Sequence, residues 1–367
     1  MGRRLLCLVL ATAVWLPLVH VLFRPRSADS ASLVAYERAQ LDDPARRDAE
    51  LGRIRASNPE WDLMARSFYV WSLAELASAN VGERRRALDA MDVVIDDTRR
   101  LERERGYTYF LLPYGQDGAY VVQPQASQFL DGELALMLAV RATLERRDAD
   151  LAELRSRVKR MTARMEKSPV LSAESYPNEC WTFCNTVALA AIRLHDRLTG
   201  DDHSGLSRRW VETARKKLVH PETGLLVSSY TVDGRTLDGP EGSTIWLSAH
   251  MLRLVDDTFA TEQFALAKRA LVHRAFGFAW AGEWPTHAPG TRDVDSGPVI
   301  PIIDASPSSS GFAILAARSF GDAELSLELG RTLALAGFPV RDAAGLHYAA
   351  SNPVGDAVLL YASVVKP

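Results

Sequence analysis

Cysteine is nearly absent from this chain: 367 residues contain three, and one of them, Cys7, falls in the N-terminal apolar run, leaving two for the body. A disulfide framework is excluded. There is no surplus of positive charge either. Lys and Arg number 43 against 46 Asp and Glu, a formal charge of −3, so no global field recruits a phosphate backbone and nucleic acid drops out as a partner. Also missing are a GxGxxG turn, a Walker loop, a GxSxG elbow, HExxH, CxxC and HxxxH. Nucleotide-dependent, α/β-hydrolase and zinc chemistries fall away with them, and the sequence points to no cofactor and no metal. What is present is ordinary globular material, 47% hydrophobic and 24% charged, which excludes disorder and fibrous rods.

Arg3-Arg4 precede an uninterrupted apolar run, Leu5 to Phe23, and Arg24-Pro25-Arg26 follow it. The run exceeds the roughly 7–15 residues of a signal-peptide core and approaches the ~20 of a spanning helix. Residues 1–28 therefore read as a signal peptide or, in preference, an uncleaved membrane anchor. Ser27, Ala28, Ser30 and Ala31 leave cleavage open. The chain is expected to be exported or anchored at the cell envelope, with residues 33–367 as its single catalytic domain. The expected partners are a small molecule and, through this helix, a membrane, with self-association left open.

Beyond Ser32, charged helical segments alternate with apolar ones. The pairs are Leu33–Ala56 with Trp61–Ala79, Glu83–Glu102 with Ser127–Leu144, and Ala149–Lys167 with Thr182–Leu198. They continue as Leu206–Leu218 with Thr244–Leu254, Thr261–Arg274 with Ser308–Phe320, and Ala323–Ala336 with Pro353–Val364. A helix apolar nearly all round must be buried, and one with a charged face can lie outside. About six such pairs closing on themselves make an all-α fold, an (α/α)6 barrel; an open solenoid is the alternative.

Links from inner to outer helices are short, whereas the opposite links, Gly106–Ala126, Ser168–Trp181, Val219–Ser243, Ala275–Pro307 and Gly337–Asn352, are long. Long loops in compact domains are usually functional. They converge at the N-termini of the inner helices, where unpaired N–H groups favour negative charge.

These loops hold the candidate residues. The densest stretch runs from Tyr176 through Pro177, Asn178, Glu179, Cys180, Trp181 and Phe183 to Cys184 and Asn185. Cys180 and Cys184 are four apart and would share a face if the helix covers both. They read either as acid/base thiols or as small buried hydrophobes. A helix start would favour the Cys184 thiolate. Glu241 lies between glycines ahead of a helix carrying Trp246 and His250, and Ser243 there suits a cap. Asp293 and Asp295 alternate in a loop also holding Trp284 and His287, which could form a like-charge pair or two solvated acids. Tyr107, Tyr109, Tyr114 and Asp117 precede the second inner helix, and Asp131 and Glu133 open it; two apart, these acids cannot share a face.

At Tyr176-Pro177 and Phe183-Cys184-Asn185 the sequence resembles the linalool dehydratase/isomerase family, whose members are (α/α)6 barrels. The resemblance implies cofactor-independent dehydration, hydration and isomerisation of an allylic terpene alcohol by side chains that include two cysteines. Cys184 maps onto the later family cysteine. The earlier one would fall near Ser175, where this chain departs from the pattern, and Cys180 would have to substitute. The expected catalytic set is Cys184, Cys180, Asp293, Asp295 and Glu241. Tyr114, Tyr176, Asn178, Glu179, Asn185, Trp246, His250, Trp284 and His287 are expected around the substrate. Two other functions remain: a glycan-active (α/α)6 hydrolase or lyase using paired carboxylates, and a non-catalytic envelope binding protein.

Overall fold

The computed structural model describes residues 2–26, 28–116, 118–286 and 296–367. Several helices have their starts fixed by the local sequence. Asp43-Pro44, Asn58-Pro59, Ser306-Pro307 and Asn352-Pro353 each set a capping side chain before a proline in the first turn, where its missing N–H costs nothing. Asp43, for instance, accepts from Arg46 N at 2.9 Å.

Six inner helices follow: α4 (Pro59–Ala79), α6 (Gln128–Leu144), α8 (Thr182–Thr199), α10 (Gly242–Leu252), α12 (Pro307–Ser319) and α14 (Pro353–Val364). Each packs against the next, and α14 packs against α4, so the ring closes. An open solenoid is thereby excluded. The outer layer consists of α2 (Asp29–Leu41) and α3 (Pro44–Ser57), then α5 (Arg84–Arg105), α7 (Asp148–Met165), α9 (Ser204–Lys217), α11 (Asp257–Leu271) and α13 (Ala323–Ala336). The fold is the expected (α/α)6 barrel. One outer element differs: the expected continuous helix Leu33–Ala56 is broken between α2 and α3, because Pro44 cannot continue a helix and Asp43 caps a new one.

The inner ring is buried as its composition requires. Leu134, Met137 and Leu138 of α6 and Leu189 and Ile192 of α8 are fully enclosed, each stabilising by about 1.5–3 kcal/mol. These two helices approach closely at Gly132, where a Cβ would lie 3.3 Å from Ala188 N. The outer helix α5 is tied to the inner ring by ion pairs, Arg141 of α6 with Asp92 at 2.9 Å and Arg66 of α4 with Asp97 at 2.6 Å.

The long loops carry short antiparallel strands that helical periodicity could not reveal. β1 (Cys180–Trp181), β2 (Ser229–Tyr230) and β3 (Thr236–Asp238) form one sheet; β4 (Val272–Ala275) with β5 (Phe278–Ala281), and β6 (Pro339–Asp342) with β7 (Gly345–Tyr348), form two hairpins. All lie at the mouth.

Helix α1 (Gly2–Leu22) has a mean hydropathy of 2.4 and no buried residue, and is long and apolar enough to cross a membrane. Its end rests on the barrel, with His20 Nε2 2.6 Å from Phe276 O.

Candidate active site

The floor of the lumen is aromatic. Phe68 and Trp71 of α4, Phe312 of α12 and Tyr361 of α14 meet with ring centroids 4.8–5.9 Å apart. His250 joins this floor: its Nε2 lies 3.0 Å from Tyr361 Oη, and burial lowers its pKa to about 3. Eight residues into α10, or ~12 Å down the helix, it sits well below the mouth. Phe183 of α8 meets Phe312 at 6.3 Å, a contact between non-adjacent helices that can form only across the lumen.

Above the floor lies a buried polar group of residues contributed by three consecutive inner helices and one loop. Cys184 is in the first turn of α8 and only 7% exposed. Glu60, Glu133, Glu179 and Ser175 lie near enough to act on its thiol electrostatically. Burial first, and then the three acids, push the thiol well above its ordinary value, with only Ser175 pulling the other way. Burial and these acids thus oppose the preference of the helix start for the thiolate and favour the protonated thiol.

Glu133 of α6 is 1% exposed, and neither carboxyl oxygen has a hydrogen-bond partner among the described residues. Burial pushes its pKa up to about 8, offset only slightly by Ser67 of α4. Ser67 Oγ and Ser175 Oγ are likewise buried without a hydrogen bond of good geometry. Buried polar atoms without a hydrogen-bond partner are uncommon in native proteins.

Towards the mouth, Tyr176 donates to Glu60 Oε1 at 2.5 Å and accepts from Leu112 N at 3.0 Å. Tyr114 stacks on Tyr176 with centroids 4.5 Å apart and reaches Glu179 Oε1 at 3.4 Å. The Trp181 indole N–H donates to the same oxygen. Tyr114, Tyr176 and Glu179 are thus gathered above Cys184.

Other expected residues are placed elsewhere. The chain is extended at Cys180, which pairs with Tyr230 in β1–β2 before α8 begins at Thr182, so the shared helical face proposed for Cys180 and Cys184 does not exist. The fully buried Cys180 thiol has its pKa raised by burial and then by Glu174. Asn178 is a left-handed turn residue, φ 54°, whose N–H donates to Glu174 Oε1 at 2.7 Å. Asn185 is used entirely by the backbone of Ala173 and Trp181. Asp131 points out of the barrel, to Arg157 and Arg160 of α7. Tyr109 packs under Arg55. Asp117, His287, Asp293 and Asp295 lie outside the described residues.

A second knot fixes the mouth around α10. Glu241 precedes this helix, its N–H donating to Ser228 Oγ at 3.0 Å. Glu283, which opens the stretch holding Trp284 and His287 and to which the sequence assigns no role, is 1% exposed and accepts from Ser243 N at 3.0 Å, Ser243 Oγ at 2.5 Å and the Ser306 hydroxyl. Trp246 is fully buried, donating to Ser309 Oγ at 3.1 Å and packing edge-on against Phe264 of α11, so its ring fills the wall between the layers. Trp284 is buried beside this knot. A Cβ at Gly242 would stand 2.0 Å from Ser309 Oγ and 2.8 Å from Gly282 O. Gly242→Ala should accordingly cost on the order of 1–3 kcal/mol by overpacking, read as a lower urea midpoint with unchanged m value.

Fold and site define an (α/α)6 barrel whose inner helices carry a buried thiol and a buried acid, the acid without a hydrogen-bond partner among the described residues. The sequence profile described as Linalool dehydratase/isomerase matches residues 147–353, more than half of the chain, and the chain belongs to that family. Two solved structures are also similar. A GH76 alpha-mannanase from Bacteroides thetaiotaomicron is 12% identical, with 82% of this chain and 84% of that one covered and a TM-score of 0.47. A possible GH105 member from Klebsiella pneumoniae is 15% identical, with 83% and 81% covered and a TM-score of 0.49.

Proposed function

We propose that this protein dehydrates or isomerises a small, apolar allylic alcohol of the terpenoid kind without a cofactor, held at the membrane by α1. The observation that carries this reading is the buried Glu133 carboxyl, without a hydrogen-bond partner among the described residues and close enough to the Cys184 thiol to act on it electrostatically. An acid kept protonated near neutrality is suited to give its proton to a leaving hydroxyl.

In the proposed reaction the Glu133 proton goes to the alcohol oxygen. The C–O bond breaks with its electron pair leaving on water, and an allylic cation remains. The carboxylate left on Glu133 then takes a proton from the carbon next to the cation, which gives the diene and restores the acid. Return of water to the other allylic end, with its surplus proton passing to the Glu133 carboxylate, gives the isomeric alcohol instead and likewise restores the acid. Glu60 and Glu179 supply negative charge near the cation, and the faces of Phe183 and Phe312 supply apolar walls and π-density. Cys184 serves as a neutral donor that orients the hydroxyl.

The test is a sealed incubation of purified protein with linalool in water labelled with oxygen-18, products being separated by gas chromatography. Diene release, and label in any isomeric alcohol, are expected, with both lost in Glu133→Gln. A folded protein that leaves allylic alcohols untouched, or that cleaves glycans instead, would overturn the reading.

A further inference from the structure

At the closed end of the barrel, opposite the mouth, α8 turns into α9 through Gly200–His203, and three metal-ligating side chains converge there. His195, Asp196 and His203 bring one ligand atom each within 4.8 Å of the others. His203 Nδ1 lies 2.7 Å from Asp196 Oδ1, and His195 Nδ1 lies 3.5 Å from the same oxygen. The other Asp196 oxygen is occupied, accepting from His203 N at 2.9 Å with Arg193 Nη1 at 3.5 Å. Oδ1 is therefore left to the two rings.

His195 is the independent sign that something is missing. It is 1% exposed, yet neither ring nitrogen makes a hydrogen bond among the described residues. Its Nε2 faces Asp201 Oδ2 at 3.5 Å, on the side away from Asp196. A carboxylate behind one nitrogen, with the other aimed at a shared centre, is the arrangement that orients metal-binding imidazoles.

We propose that His195 Nδ1, Asp196 Oδ1 and His203 Nδ1 bind one divalent transition ion of the zinc type, with Asp201 as a positioning residue behind His195. Two imidazoles and a carboxylate match the donor preference of zinc, at metal–ligand distances of about 2.0–2.2 Å. Binding displaces the proton shared between His203 and Asp196 and brings the ligand atoms to the ~3.4 Å spacing of a tetrahedral shell, so His203 Nδ1 and Asp196 Oδ1, now 2.7 Å apart, separate while the two imidazoles close in. Because the site closes the α8–α9 turn and lies far from Glu133 and Cys184, its role is to clip the fold rather than to take part in the reaction. The HxxxH and CxxC patterns miss it because its ligands straddle a helix end and the following turn.

The experiment is calorimetric titration of the chelator-treated, full-length protein with zinc sulfate, with thermal melts alongside and cobalt(II) as a spectroscopic substitute. One ion per chain is expected, with a raised melting temperature and the visible absorption of a low-coordinate cobalt complex. Asp201→Asn should weaken binding roughly 10–100-fold. His203→Ala should weaken it further; this side chain is 28% exposed, so the variant keeps the barrel and its helical circular dichroism. Failure of the wild type to bind zinc one to one, or equal binding by wild type and His203→Ala, would overturn the proposal.

Discussion

Glu133→Gln should lower turnover by about 100-fold or more, the range set by loss of a general acid, while making the protein more stable at pH 8. The two effects have one cause. Glu133 is enclosed without a hydrogen-bond partner among the described residues, and burial raises its pKa from the usual carboxylate range to about 8. A folded state that holds its proton more tightly than the unfolded chain loses stability as pH rises through the interval between the two pKa values. Below about pH 4.5 both states are protonated and there is no slope; from there to about pH 8 each pH unit costs about 1.4 kcal/mol; above it the full cost, on the order of a few kcal/mol, is in place. Glutamine has nearly the same shape and no proton to lose. Urea midpoints of wild type and variant should coincide near pH 4.5 and diverge upward to pH 8, with the variant ahead. Asp356, raised to about 7 by burial and lying beside Glu37, adds a slope of the same sign that the substitution leaves in place. A variant that is less stable at pH 8 would mean that Glu133 is a structural acid, and one that turns over normally would remove it from the reaction.

The reasons Glu133 was hard to see in the sequence are geometric. An acid in an Ala- and Leu-rich helix with no basic residue three or four positions away is a readable signal, but Asp131 shows the same signal. Only the packing of α6 separates them: Asp131 turns outward to Arg157 and Arg160 of α7, Gly132 lets α8 approach, and Glu133 is left facing the lumen. Periodicity reports which helices have two faces, and it placed all six inner helices and the loops of the mouth. It does not report the angle at which each helix meets its neighbours. Cys180 shows the second limit: a spacing of four residues implies a common face only inside a helix, and the pairing of Cys180 and Trp181 with β2 delays the start of α8 to Thr182. The Glu283 knot was missed because its partners, Ser243 and Ser306, come from two different helix starts far apart in the chain.

Cys184→Ser should retain a measurable part of the activity that Cys184→Ala loses, because the thiol acts as a neutral donor. A thiol of ordinary pKa about 8.5 at a helix start gains about 0.3–1 kcal/mol of preference for the thiolate from the dipole. Full burial works against it by depriving the charged form of solvent, and Glu60, Glu133 and Glu179 act in the same direction as burial. Burial wins, and the proton stays on sulfur. A serine hydroxyl can take over hydrogen-bond donation to the substrate oxygen, whereas it could not replace a thiolate base, its own pKa being far too high. Alkylation with iodoacetamide, read by peptide mapping, supplies the independent check. In the folded protein at pH 7.5, Cys184 should remain unmodified over a time in which it is fully labelled after denaturation, and raising the pH to 9 should change this little. Rapid labelling of Cys184 in the folded state, together with a Cys184→Ser variant as inactive as Cys184→Ala, would show that the thiolate is formed and that the sulfur, rather than Glu133, moves the proton.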